Sequence, residues 1–137
     1  MAKAEAAAQR PLSPHLTIFR PYINMMMSIV HRITGAANYF GTLLIVFWLA
    51  SAAAGPQSFN FANEIAGSIP GLIILFGFNW SLIHHALGGI RHLVWDTGRG
   101  FDIPTVRLMS WLTIIGSLTL TILLWALILP GLGVIDV

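Results

Sequence analysis

The stretch Leu108–Ile135, LMSWLTIIGSLTLTILLWALILPGLGVI, contains no Asp, Glu, Lys or Arg. It exceeds the ~20 mostly apolar residues that an α-helix needs to cross a bilayer. Two further stretches share this property, Ile33–Asn63 and Ile65–Ile90. Three membrane helices are therefore predicted, near Ile29–Ala53, Ile69–Leu93 and Val106–Leu129. Gly55-Pro56 closes the first, and a polar and aromatic loop over Gln57–Asn63 follows it. Pro104 precedes the third and Pro130-Gly131 follows it. The fold class is all-α, an integral membrane protein. An N-terminal segment, residues 1–28, leads into a three-helix membrane domain, residues 29–137.

Composition agrees with this reading. The 137 residues are 56% hydrophobic and only 9% charged, with a mean hydropathy of +0.79. An ordinary soluble domain carries about a quarter charged residues, so a soluble enzyme and a disordered tail are both excluded. Cysteine is absent, which excludes disulfides, thiolate metal sites, covalently attached haem and iron–sulfur clusters held by this chain. The pI is near 9.7, but the net charge is only +2. Such a balance reports membrane orientation and not a nucleic-acid partner.

All seven Lys and Arg residues lie on one side of the expected topology. Lys3, Arg10, Arg20 and Arg32 precede or open the first span, and Arg91, Arg99 and Arg107 lie between the second and third. The positive-inside rule then puts the N-terminus and the second loop in the cytoplasm and the C-terminus in the periplasm. Met1–Gln9 has neither the apolar core of a secretory signal nor an Arg-rich transit pattern. The expected location is a bacterial inner membrane, in preference to a mitochondrial one. Three spans offer few interior positions, so partner subunits are expected.

Ionisable residues inside a span are costly and tend to mark a cofactor, a substrate or an ion path. Ser28, His31 and Arg32 sit at i, i+3 and i+4, on one helix face where the first span enters the membrane. His85, Gly89 and His92 share a face of the second span. His92 lies roughly 10 Å closer to the cytoplasm than His85. His85 is too deep for snorkelling, and a neutral imidazole is a standard axial ligand of haem iron. Gly88 and Gly89, one turn on, would admit a flat macrocycle. His31, Arg32, Arg91 and His92 would stand where its carboxylates emerge. The competing explanation is a small-residue packing seam, with the histidine bonded to a neighbouring helix. His84 points about 100° away from His85, so only one of the two can face a given haem. His31 is expected level with His92, which makes it a poor opposite ligand. A second axial histidine would come from another chain.

Ser28 and Arg32 suggest a second site. Their hydroxyl and guanidinium could donate hydrogen bonds to a carbonyl oxygen of a lipid-soluble quinone, with Met25–Met27 and Ile29 as walls. Alternatively, Arg32 is a positive-inside anchor and Ser28 caps the first span. Trp95 and Trp111 fit the interfacial aromatic belt. Asp96 is either a proton relay or an ion-pair partner of Arg91 or Arg99.

Two segments resemble a known family. Arg10-Pro11-Leu12, Leu16, Ile23 and Ser28-Ile29-Val30-His31-Arg32-Ile33-Thr34-Gly35 are similar to the N-terminal signature of the cytochrome b membrane-anchor subunits of succinate dehydrogenase. His85-Ala86-Leu87-Gly88-Gly89-Ile90-Arg91-His92-Leu93-Val94-Trp95-Asp96-Thr97-Gly98 is similar to the second. The resemblance implies three helices bundled with a partner anchor subunit in a complex with a flavoprotein and an iron–sulfur subunit. It implies haem b shared between the anchors, with His85 as axial ligand, and His31, Arg32 and His92 near the propionates. It implies that Ser28 and Arg32 bind ubiquinone, the substrate. The chain alone would have no catalytic residues and no activity. Two alternatives stay open: the anchor of a fumarate reductase running in reverse, and a haem-free structural anchor.

Overall fold

The computed structural model describes residues 15 and 18–131, and those residues form four α-helices. Helix α1 spans Ile23–Ala54, α2 Pro56–Gly67, α3 Ile69–Asp96 and α4 Ile103–Gly131. Helices α1, α3 and α4 are long and apolar enough to cross a membrane. The chain is an all-helical, multi-pass membrane protein. Most of the N-terminal segment, including Lys3, Arg10, Pro11, Leu12 and Leu16, lies outside the described residues, as does the end of the chain from residue 132.

Several boundaries differ from expectation. Helix α4 begins at Ile103 and runs to Gly131, so Pro104 lies in its first turn and Pro130 and Gly131 in its last. Helix α1 begins at Ile23 and not at Ile29, because Tyr22 is the last extended residue, with ψ of 152°. Ser28 is therefore inside the helix and cannot be its cap. The expected loop over Gln57–Asn63 is helical. Gly55 turns the chain at φ +115°, a conformation that favours glycine. Pro56 then sits at the first position of α2, where its missing N–H costs nothing. Helix α2 buries Ala62 and leaves Gln57, Asn60 and Glu64 exposed, the amphipathic pattern of an interfacial helix. Trp48 Nε1 of α1 donates to Asn63 Oδ1 at 3.0 Å and ties α2 down. Ser68 separates α2 from α3 and caps α3, its Oγ accepting from the Gly71 N–H at 3.2 Å. Asp102 Oδ2 similarly accepts from the Thr105 N–H at 3.0 Å at the start of α4.

Helix α3 packs between α1 and α4. The interior is unlike that of a soluble bundle. Among the described residues the buried hydrophobic side chains are Met27 and Ala62, whereas Thr34, Ser81, His84, Arg91, Ser110, Thr113, Ser117 and Thr121 are buried. Many of the Leu, Ile and Phe side chains are exposed on the outside of the bundle. Lipid is as apolar as leucine, so helices in a bilayer associate through small and polar residues that allow close approach. The α4 stripe Ser110, Thr113, Ser117 and Thr121 shows how such an interface stays satisfied. Each hydroxyl donates to a carbonyl three or four residues earlier, on Val106, Met109, Ile114 and Ser117, at 2.7–3.0 Å.

Candidate functional site

Where α1 crosses α3, three imidazoles meet. The His31 and His85 rings stack at 4.0 Å with an interplanar angle of 3°, and the His92 ring lies 5.2 Å from His31. His31 thus sits between the other two and nearer to His85, deeper than the sequence suggested. It remains unsuited as an opposite ligand, for a different reason: stacked rings point their nitrogens side by side and cannot grip one ion between them.

His85 is half-buried, and its hydrogen bonding defines its chemistry. Its Nδ1 lies 3.1 Å from the His31 carbonyl oxygen and 3.2 Å from Thr34 Oγ1. A carbonyl oxygen only accepts, so Nδ1 carries the proton, and in the neutral ring Nε2 keeps a bare lone pair. A metal-ligating histidine characteristically has this arrangement. Gly35 makes it possible, since a Cβ there would fall 3.0 Å from His85 Cε1.

The two glycines of α3 part company. Gly88 takes the His31 ring, and a Cβ there would lie 2.5 Å from His31 Nδ1, itself buried without a partner. Gly89 has open space beside it. The packing explanation therefore holds for Gly88, and room for a flat group remains at Gly89.

His84 and His85 are also separated. His84 is 2% exposed and turned into the α3–α4 interface. There its Nδ1 meets Ser117 Oγ at 3.0 Å, and the Trp80 ring lies 5.1 Å away. It is enclosed by its own chain and cannot face a group shared with another subunit.

Arg91 departs from expectation. It does not stand at the mouth of the span beside His92. It is 3% exposed, donates to Ser110 Oγ at 3.3 Å and lies 5.1 Å over the Trp95 ring. Ser110 Oγ also lies 3.0 Å from Asn24 Oδ1, so this node joins α1, α3 and α4. It takes the place of an ion pair between Arg91 and Asp96, one of the pairings the sequence suggested. Trp95 is not a free belt residue either. Its Nε1 donates to the Gly100 carbonyl at 3.1 Å, and its ring packs against His92 and Phe101. Sequence reading missed the Ser/Thr stripe of α4, although its i, i+3, i+7, i+11 spacing is visible in the sequence.

Ser28 and Arg32 are exposed on the outer side of α1. With Met25 and Ile29, also exposed, they form one i, i+3, i+4, i+7 face. Met27 turns inward and is buried, so it drops out of the suggested wall. Among the described residues, nothing covers this face.

Residues 6–124 match the succinate dehydrogenase/fumarate reductase transmembrane subunit family. The chain belongs to this family. It is 40% identical to a succinate dehydrogenase cytochrome b556 subunit of Rickettsia prowazekii over 123 residues, which are 90% of this chain and 96% of the relative. It is 42% identical to the cytochrome b556 subunit of Paracoccus denitrificans, covering 83% of this chain and 88% of that one. It is also 45% identical to the mitochondrial cytochrome b560 subunit of Sus scrofa, covering 71% of this chain and 59% of that one. The matched region contains every residue of the imidazole stack and of the Ser28–Arg32 face. Membership makes the chain a membrane subunit of a larger complex.

Proposed function

We propose that this chain is the cytochrome b anchor of a succinate:quinone oxidoreductase. It would hold haem b and part of the ubiquinone-reduction site, and dock the iron–sulfur and flavoprotein subunits. The observation that carries the reading is the His85 Nδ1–H donated to the His31 carbonyl. It presents Nε2 as a ligand, beside a helix surface left open at Gly89. His85 would be the axial ligand from this chain, with the opposite one from a second anchor subunit. His31, Arg32 and His92 would stabilise the propionates at the cytoplasmic end. Bound there, haem supplies a one-electron site inside the membrane.

This chain's own part in quinone reduction is binding and orientation. Ser28 Oγ and the Arg32 guanidinium would donate to one carbonyl oxygen of ubiquinone. As electrons arrive singly, Arg32 would stabilise the charge that develops on that oxygen. Two electrons and two protons complete the conversion to the quinol. Met25 and Ile29 would line one side, and the partner anchor would close the other.

The seven basic residues, gathered towards the N-terminal end of α1 and around the loop that joins α3 and α4, support a cytoplasmic N-terminus and cytoplasmic docking of the soluble subunits. The bacterial relatives, matched over most of their length, support a bacterial inner membrane. A fumarate reductase anchor would use the same architecture. The relatives' names, all succinate dehydrogenase subunits, favour the succinate-oxidising direction. The test is a dithionite-reduced minus oxidised spectrum of the purified complex, wild type beside His85→Ala. A b-type band that is lost or altered in the variant is expected. An unchanged band would move the ligand to other chains, and no band in the wild type would leave a haem-free anchor.

A further inference from the structure

We propose that Thr34 is a positioning residue for the His85 imidazole and sets the electron density at its Nε2. The inference rests on the reading of His85 as a haem ligand. Thr34 is 2% exposed, one turn beyond His31 on α1. Its Oγ1 lies 3.0 Å from the Val30 carbonyl oxygen, 3.0 Å from that of His31 and 3.2 Å from His85 Nδ1.

A hydroxyl has one proton and two lone pairs. The His31 carbonyl already accepts from His85, so the arrangement that satisfies every group sends the Thr34 proton to Val30. Oγ1 then accepts a second branch of the His85 Nδ1–H bond. The imidazole N–H is held between two acceptors from α1. The backbone of Thr34 is itself held to α3, because Ser81 Oγ lies 3.1 Å from the Thr34 carbonyl oxygen and 2.8 Å from Asn38 Oδ1. Thr34 is therefore fixed on both sides, and Gly35 beside it leaves room for the ring.

Acceptors on the outer N–H of a ligating imidazole fix its orientation and raise its basicity as a ligand. A more basic ligand favours ferric over ferrous iron. Removing the Thr34 hydroxyl takes away one of two acceptors and shifts the balance toward the ferrous form.

The test is a redox titration of the b-type band in the purified complex, for wild type, Thr34→Val and Thr34→Ser. Thr34→Val keeps the shape and loses Oγ1. It is expected to shift the ferric/ferrous equilibrium about tenfold toward ferrous, a midpoint about 59 mV more positive for one electron. Thr34→Ser keeps Oγ and is expected to titrate with the wild type. If Thr34→Val does not assemble, Thr34→Ala beside Thr34→Ser makes the same comparison. A hydroxyl-free variant at the wild-type midpoint overturns the proposal, as does a Thr34→Ser shift of equal size, which would trace the effect to packing at this position and not to the hydroxyl. A wild-type complex without a b-type band overturns the haem reading, and the proposal with it.

Discussion

Gly88→Ala tests the imidazole stack most directly, because it adds one methyl group to a crowded position. That Cβ would fall 2.5 Å from His31 Nδ1 and 3.1 Å from Cε1. Relief requires the ring to withdraw on the order of 1 Å to reach ordinary contact distance. The ring has little freedom, with His85 stacked at 4.0 Å and His92 at 5.2 Å. Overpacking of this kind costs roughly 1–3 kcal/mol. Alanine in a helix interior returns about 0.5–1 kcal/mol relative to glycine. Taken at the middle of each range, the expected balance is a loss of about 1 kcal/mol. The assay is the unfolding midpoint of the purified complex for Gly88→Ala, His31→Ala and the double variant. Once the His31 ring is gone the methyl group meets nothing, so the double variant should be no less stable than His31→Ala alone. A Gly88→Ala complex as stable as the wild type would refute the reasoning. So would losses that add in the double variant to within about 0.5 kcal/mol, since groups in contact should not behave independently.

Ser117→Ala removes the partner of His84 Nδ1 in a site where Nε2 already lacks one. It should destabilise the complex by about 1–3 kcal/mol, the penalty for a buried unpaired donor, and leave the b-type spectrum unchanged. A spectral change would return His84 to the ligand field. Arg32→Leu should suppress succinate-driven quinone reduction while succinate oxidation with a water-soluble acceptor persists. Equal loss of both activities would point to failed assembly instead of a quinone contact. Hydrogen bonds from the Thr105 side chain and backbone hold the Asp102 carboxyl below its usual range. A depressed folded-state value means that the contribution to the start of α4 is present above the ordinary carboxylate range. It is lost as pH falls through the folded value. Hydrogen-exchange protection of the Thr105 amide should therefore drop on acidification in the wild type but not in Asp102→Asn. A parallel drop in both would sink the assignment.

The relation between sequence and site is clearest at paired residues. Helical spacing put His85 and His92 on one face and His84 on another, and both placements hold. Spacing could not say what each face meets. His84 meets Ser117 of α4, and His85 meets the His31 carbonyl of α1, a contact between residues far apart in the chain. Arg91 was misjudged for the same reason. Position near a helix end suggested an exposed cation, but the close approach of α4 buries it against Ser110. Ser28, Ile29 and Arg32 illustrate the reverse case, an outward face whose occupant no single chain can define. The Gln57–Asn63 segment read as a loop because its polar and aromatic residues lack a long apolar run. The helix it forms is short and is held by tertiary contacts, Ala62 buried and Asn63 bonded to Trp48, which hydropathy does not reveal.

The three spans, their order and the one-sided distribution of basic residues were therefore legible in the sequence by itself. Each follows from length, hydropathy and charge, which act residue by residue against a uniform bilayer. The tautomer of His85, the enclosure of His84 and Arg91, and the fitting of His31 onto Gly88 were decided only by the tertiary structure. They depend on how each helix is rotated about its axis and how closely two helices approach. That approach is set mutually, by Gly35, Gly41 and Gly88 yielding to the rings of His85, Phe78 and His31 across the interface.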